Sequence, residues 1–346
     1  MNRSLPGVAA AGAMAPSPML PSLRFRFRLP RWLRCILLSL LAIAALAAAL
    51  VALGWWYLHP PVERTDGIVY GQRHGRPLTL DVIHPRRPNG VGIALMVSGS
   101  WKSSGPGSAK VWLMAPLLRR GYTVFAICHV SQPEATVMEI IEDVNRGVRF
   151  VRHHAAAYGI DPDRIGAIGG SAGGHLSLML ATRGGPGPAD APDPIDRASS
   201  AVQAVAIFFP VTDLLNLGQS TENPGDGGPP KSFVRAFGFP ERFGADSTHM
   251  AVWKQVGRET SPIHHLDAHL PPVLIHHGDA DTLTPLEQSE WFRDRAAQYG
   301  REVRLVVRPG ARHGWWTMSW DIRQFAAWFD THLGRLGAAA AADPGR

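Results

Sequence analysis

The chain of 346 residues is 45% apolar and 18% charged, which is enough apolar sequence for the core of one large domain or two small ones. Six of the positive charges are arginines within residues 1–34, which hold no acid, so a net charge of +7 leaves only about +1 for the rest of the chain. The near-neutral remainder argues against a nucleic-acid-binding protein, and neither the two cysteines nor the histidines have the spacing of a zinc site.

The first part of the chain is predicted to be a disordered basic segment, residues 1–34, followed by a transmembrane signal-anchor, residues 35–58. The second segment carries no charge and is long enough as a helix to cross a hydrocarbon core of about 30 Å. Arginines precede this segment, and a Trp-Trp-Tyr run at 55–57 lies at its end. We therefore expect a single-pass protein of the cytoplasmic membrane, with residues 1–34 in the cytoplasm and the residues after 58 outside it. The alternative is secretion after signal cleavage at Ala47-Ala48-Ala49.

Residues 65–333 alternate strand and helix patterns. A hairpin around His74-Gly75 comes first. Buried strands are predicted at GIALMV, YTVFAIC, RIGAIG, AVAIFF, PVLIHH and VRLVV, and helices near 109–120, 134–157, 172–183, 286–299 and 320–333. Strands that alternate with helices predict an α/β fold with a doubly wound, mostly parallel sheet.

Two stretches interrupt this alternation. Residues 184–200 are predicted to be a loop, and residues 214–262 form an insertion with a Gly- and Pro-rich centre followed by an aromatic part. Insertions after strand ends lie above the ligand crevice of such a sheet, so the insertion is interpreted as a partial lid. The final residues, 334–346, are predicted to be a disordered tail.

A candidate nucleophile follows the strand RIGAIG, in the motif Gly169-x-Ser171-x-Gly173. Glycines at these places permit a sharp turn that exposes the serine hydroxyl at the top of the sheet. The helix that begins there offers free amides to a developing oxyanion. His175, in the first turn of this helix, is interpreted as a packing or capping residue.

A serine nucleophile needs a base and an acid that orients the base, and in this kind of fold the acid precedes the histidine. Asp279 and Asp281 both follow the strand PVLIHH. His313 follows the next strand, VRLVV. These positions predict that His313 is the base and that one of the two aspartates is the acid.

Three segments together resemble the esterase/lipase branch of the α/β-hydrolase superfamily: IDPDRIGAIGGSAGGHLSLMLA, HHGDADTLTPLEQSE and PGARHGW. The resemblance covers about residues 65–333. It implies Ser171 as nucleophile, Asp281 rather than Asp279 as the acid of an HGxxDxxxP pattern, and His313 as base. It also implies that the protein uses no metal and no organic cofactor.

The stretch LMVSGSWKSSG stands where this family often has HGGGW, whose backbone amides hold the oxyanion. The leading histidine and two glycines are missing, but backbone donors survive such changes. We therefore expect the oxyanion hole at Gly99, Ser100 and Ala172, with strain if position 98 or 100 requires a positive φ. Trp101 aligns with the tryptophan of the family.

These features predict a membrane-anchored serine hydrolase that cleaves carboxylic esters through an acyl-enzyme. The alternatives are a serine peptidase of the same fold and a catalytically inactive binding protein. The expected substrate is a small-molecule or glycan-borne ester with a short acyl chain. Trp101 and Trp315 are candidate substrate-binding residues, although Trp315 could instead pack the last helix.

Overall fold

The computed structural model describes residues 30–334. The predicted tail and most of the predicted basic segment lie outside these residues, and their disorder stays a prediction. Residues 31–34, which were assigned to that segment, are helical. The chain divides after Leu53 into two units.

Helix α1 (Arg31–Leu58) has no buried side chain. Within the part of the chain that the structure describes, it is the one helix long and apolar enough to cross a membrane, with a mean hydropathy of 2.9 over its most apolar 18 residues. Its length and composition suit a membrane anchor and a signal sequence equally well.

The second unit is built on one sheet of eight strands in the order β1-β2-β4-β3-β5-β6-β7-β8. The strands are β1 (Val62–Arg73), β2 (Arg76–Pro85), β3 (Gly92–Met96), β4 (Thr123–Ile127), β5 (Ile165–Gly170), β6 (Ala204–Phe208), β7 (Val273–Gly278) and β8 (Val303–Arg308). The first hairpin is antiparallel, β2 is antiparallel to β4, and all further pairs are parallel. The carboxyl ends of β3 to β8 therefore meet at one edge.

Helices cover both faces of this sheet. They are α2 (Val111–Leu118), α3 (Val137–His153), α4 (Ala172–Arg183), α5 (Pro194–Arg197), α6 (Ser247–Thr260), α7 (Glu287–Ala297) and α8 (Met318–His332). The alternation of side chains along β4 illustrates the layering. Phe125 and Ile127 join the core under α3 and α4, whereas Val124 and Ala126 join the core under α2 and α8. The predicted doubly wound, mostly parallel α/β fold is confirmed.

Two helices lie where none was predicted. Short α5 lies in the predicted loop 184–200, and α6 lies in the insertion, residues 214–262. Asp246 caps α6 by accepting a hydrogen bond from the His249 amide at 2.8 Å, and Trp253 is buried on its inner face. The second half of the insertion is thus an ordered helical layer that packs on the core.

Candidate active site

Ser171 occupies a sharp turn between β5 and α4. Its backbone has φ 53° and ψ −121°, a conformation that L residues adopt only under strain. The turn requires glycines because a Cβ on Gly169 would lie 2.3 Å from the Gly173 carbonyl oxygen, and one on Gly173 would lie 2.8 Å from the Met96 oxygen. The serine therefore stands at the N-terminus of a helix, where free amides and the helix dipole favour negative charge.

Two hydrogen bonds join Ser171, His313 and Asp281. His313 Nε2 lies 2.9 Å from Ser171 Oγ, and His313 Nδ1 lies 2.7 Å from Asp281 Oδ2. Because an ionised carboxylate only accepts hydrogen bonds, the His313 proton is on Nδ1 and bare Nε2 faces the serine hydroxyl. The three side chains follow β5, β8 and β7, and the common edge of these parallel strands brings them together.

The Asp281 carboxyl group is fully buried and well supplied with donors. Its Oδ1 accepts from the backbone amides of Leu283 and Thr284 at 3.0 and 2.9 Å, and His277 Nε2 lies 3.5 Å from its Oδ2. Burial alone raises the pKa of this carboxyl. Hydrogen bonds from His277, His313 and the Thr284 amide outweigh that effect and hold the pKa at about 2. Asp281 is therefore ionised at neutral pH.

The neighbouring aspartate has a different environment. Asp279 accepts a hydrogen bond from the Gly310 amide at 2.6 Å and ties the loop after β7 to the loop after β8. Of the two aspartates between which the sequence left a choice, the one in contact with His313 is Asp281.

The loop after β3 closes in a two-residue turn. Gly99 and Lys102 exchange both backbone hydrogen bonds, at 3.0 and 2.8 Å, and the two residues between them have positive φ, 52° for Ser100 and 54° for Trp101. The Gly99 amide was expected to be an oxyanion donor, but it is occupied by the Lys102 carbonyl. The amides of Ser100 and Ala172 have no acceptor among residues 30–334, and both residues line the cavity at the serine.

This cavity beside Ser171 measures about 40 Å³. Its wall is mostly apolar, with Trp101 on one side and residues of the insertion, including Leu217 and Phe233, on the other. Trp101 thus stands where the sequence placed a substrate-binding residue.

Trp315 does not line this cavity. Its indole N–H donates to Asp321 Oδ2 at 2.6 Å, and its ring lies 5.7 Å from the ring of Phe209, so it packs the loop of His313 against α8. Phe209 in turn lies 4.5 Å from the His313 ring, centroid to centroid. Phe209 was not among the predicted site residues, although its position directly after β6 places it at the common edge of the strands.

The arrangement can activate a hydroxyl group. Bare Nε2 of His313 can accept the Ser171 proton, and buried Asp281 can stabilise the resulting imidazolium. Ser100 and Ala172, whose amides have no acceptor within residues 30–334, line the same cavity as the serine. No group of three or more His, Cys, Asp or Glu side chains that could hold a metal ion occurs within residues 30–334.

Known proteins that are similar to this chain include esterases. Residues 80–295 match the family model BD-FAE, a segment that runs from β2 to α7 and contains Ser171 and Asp281. The chain is similar to LipM, a probable carboxylic ester hydrolase of Mycobacterium tuberculosis, with 30% identity over 256 residues. The match covers 72% of this chain and 56% of LipM, so the chain spans little more than half the length of that relative.

Two solved structures have the same fold. One is a truncated form of a carbohydrate esterase from gut microbiota, with a TM-score of 0.62, 25% identity, and coverage of 78% of this chain and 96% of that one. The other is esterase 2 of Thermogutta terrifontis phosphorylated by paraoxon, with a TM-score of 0.58, 25% identity, and coverage of 80% and 96%.

Proposed function

Since the chain belongs to the BD-FAE family of α/β-hydrolase esterases, we propose that its second unit cleaves carboxylic esters through an acyl-enzyme formed on Ser171. The observation that carries this proposal is the hydrogen-bonded series from Ser171 Oγ through His313 to the buried carboxylate of Asp281. The protonation assigned above to these three side chains is the one that nucleophilic catalysis requires.

The proposed reaction has two halves. Ser171 Oγ attacks the ester carbonyl carbon while His313 Nε2 takes the hydroxyl proton. His313 then gives this proton to the departing alkoxide, which leaves as the alcohol and leaves the acyl group on the serine. In the second half, water loses a proton to His313, attacks the acyl carbon and releases the acid, and the proton returns to Ser171.

The oxyanion of each tetrahedral intermediate is proposed to bind the amides of Ser100 and Ala172. Gly99 was also expected to be a donor, but we do not include it because its amide already donates to the Lys102 carbonyl oxygen. One such donor typically contributes about 10² to 10³ in rate. Two free amides beside the helix N-terminus would therefore suffice for a working oxyanion hole.

The acyl group is proposed to be short. A water molecule requires about 10–15 Å³ of cavity volume, so the cavity of about 40 Å³ beside Ser171 has room for about three water molecules. This size suits an acyl group of two to four carbons. Trp101, Leu217 and Phe233 close the apolar wall and exclude a long chain. The similarity to a carbohydrate esterase makes acetyl groups on glycans one candidate, and small acetate esters are the other.

The first unit is proposed to anchor the enzyme. Helix α1 would cross the cytoplasmic membrane once, with the arginine-rich residues 1–34 inside and the domain outside. Cleavage at Ala47-Ala48-Ala49 would instead release the same domain as a secreted enzyme. The hydrolase domain is proposed to comprise residues 65–333, and the extent of the sheet and α8, from Val62 to His332, supports this range.

The test is covalent labelling of the full chain in detergent. Paraoxon or a fluorophosphonate should attach to Ser171, as located by mass spectrometry of peptides, and Ser171→Ala should lose both the label and the hydrolysis of p-nitrophenyl acetate. Peptide anilides run beside aryl esters test the peptidase alternative. A wild-type chain that is neither labelled nor active would instead identify an inactive binding protein.

A further inference from the structure

The turn at Ser100 and Trp101 is strained. Both residues have a positive φ, 52° and 54°, as the two central residues of a type I′ turn do. Paired hydrogen bonds between Gly99 and Lys102 close the turn. Such turns favour Asn and Gly, and for other L residues this conformation costs on the order of 1–2 kcal/mol each. Strain of this size persists only where the surroundings impose the conformation.

The Trp101 side chain provides the restraint. It is only 3% exposed and is surrounded by three rings in edge-to-face geometry, with centroids 5.5 Å away for His175, 5.2 Å for Phe233 and 5.5 Å for Phe237. Its single polar atom, Nε1, donates a hydrogen bond of 3.2 Å to His175 Nδ1.

His175 is fixed from its other side as well. It is fully buried, and its Nε2 lies 2.7 Å from the carbonyl oxygen of Thr260, the last residue of α6. Because a carbonyl oxygen only accepts and an indole nitrogen only donates, the proton is on Nε2 and Nδ1 is bare. Burial also lowers the pKa of His175 to about 4, so this neutral tautomer is the form present at neutral pH.

We propose that His175 is a positioning residue for the oxyanion hole: by holding Trp101 between the nucleophile helix and the insertion, it fixes the turn that presents the Ser100 amide. This inference rests on the proposed ester hydrolysis. The oxyanion hole then depends on α6, because the chain of hydrogen bonds runs from Trp101 through His175 to Thr260.

The mechanical link is the peptide between Gly99 and Ser100. Its carbonyl oxygen accepts from the Lys102 amide at 2.8 Å, so its N–H, trans to the oxygen in the same planar unit, points the other way. If the indole loses its partner, the turn can relax toward negative φ at Ser100 and Trp101. That relaxation would break the Gly99–Lys102 pairing and rotate the peptide plane that carries the donor.

Three variants test the proposal. His175→Leu keeps similar volume without an acceptor, Trp101→Phe keeps an aromatic ring without the donor, and His175→Asn places an amide oxygen at about the position of Nδ1. Active sites are counted with a fluorophosphonate, so that kcat refers to folded enzyme only. The matched control is Tyr122→Phe, which removes a buried hydroxyl that donates to Asp330 at 2.5 Å. Tyr122 directly precedes β4 and so lies at the edge of the sheet opposite to Ser171.

Removal of one oxyanion donor typically lowers kcat by a factor of about 10² to 10³, and misplacement of a donor should cost part of that factor. We expect kcat per titrated site to fall about 10- to 100-fold in His175→Leu and in Trp101→Phe. In His175→Leu, which leaves the cavity wall intact, KM should change less than about threefold. The double variant should lose little more than either single one, and His175→Asn should recover most of the loss. The affinity for a trifluoromethyl ketone, which forms an oxyanion on the enzyme, should fall in parallel with kcat/KM.

Tyr122→Phe should lower the melting temperature without changing kcat per site, which separates positioning from general stability. Full kcat in both His175→Leu and Trp101→Phe would overturn the proposal, and so would losses that add in the double variant. If His175→Leu does not fold, Trp101→Phe decides alone. A wild-type enzyme without ester hydrolysis or labelling would defeat the proposed function first and this inference with it.

Discussion

Replacing Asp281 with asparagine should remove nearly all activity although the two side chains have the same shape. The Asp281 Oδ1 atom accepts hydrogen bonds from the Leu283 and Thr284 amides at 3.0 and 2.9 Å. In the asparagine variant the side-chain oxygen must occupy the Oδ1 position, because an NH₂ group there could not accept from these two amides. The amide nitrogen then takes the place of Oδ2, which lies 2.7 Å from His313 Nδ1.

An amide NH₂ group only donates, so it would force a bare Nδ1 on His313 and move the ring proton to Nε2. That N–H would face the Ser171 hydroxyl, 2.9 Å away, and could not accept its proton. A triad with the wrong tautomer typically loses about 10³- to 10⁴-fold in kcat, which corresponds to about 4–5.5 kcal/mol of transition-state stabilisation.

The assay is kcat on p-nitrophenyl acetate at neutral pH, with circular dichroism to establish that the variant is folded. Asp279→Asn is the matched control, because its amide oxygen can still accept from the Gly310 amide, and its kcat should stay within about twofold of the wild type. The tautomer reasoning is refuted if Asp281→Asn keeps more than a tenth of the wild-type kcat, or if Asp279→Asn loses as much.

Four further outcomes are expected. Ser100→Gly should raise the melting temperature by a few degrees and keep kcat within about threefold, because glycine adopts φ 52° freely. Ser100→Pro, which removes the amide and whose ring excludes a positive φ, should lower kcat at least about 100-fold. The pKa of His175 is lowered to about 4, so between that pH and its unfolded value of about 6.5 the unfolded chain binds a proton that the folded chain lacks. The free energy of unfolding should therefore fall as the pH drops from about 6.5 toward 4. In urea titrations of His175→Asn the free energy of unfolding should depend less steeply on pH, by the equivalent of up to one bound proton. Leu217→Ala should shift the ratio of kcat/KM values from acetyl toward hexanoyl p-nitrophenyl esters, and an unchanged ratio would place the acyl chain outside the cavity. A reporter fused after residue 60 should be active only outside the cytoplasm, whereas a mature N-terminus near Leu50 would indicate cleavage of α1.

Local rules were enough to predict the turn at Ser171. The close contacts at Gly169 come from Gly173 and Gly174, within a few residues of the serine, whereas those at Gly173 come from Met96 and Ser98. A short motif therefore carries a large part of the constraint. The strand and helix patterns were equally local, and the common edge of a parallel sheet then placed Asp281 and His313 near the nucleophile.

Features that depend on contacts distant in the sequence could not be predicted in this way. The Trp101 ring, in the turn between Gly99 and Lys102, packs against Phe233 and Phe237 of the insertion, which lie about 130 positions later in the chain. For the same reason Trp315 was open to two interpretations until its partner, Asp321, was placed. The insertion was interpreted as a partial lid, and no helix was predicted in the part that forms α6.

The spacing of the candidate active-site residues along the chain has a consequence for how the protein folds. Ser171 and His313 are 142 positions apart, and parallel β5, β6, β7 and β8 must pair in register before the two side chains meet. Non-local pairings of this kind close late and slowly. The rate at which a refolding chain becomes reactive toward a phosphonate would therefore time the completion of the sheet, whereas circular dichroism would record the earlier, local helices.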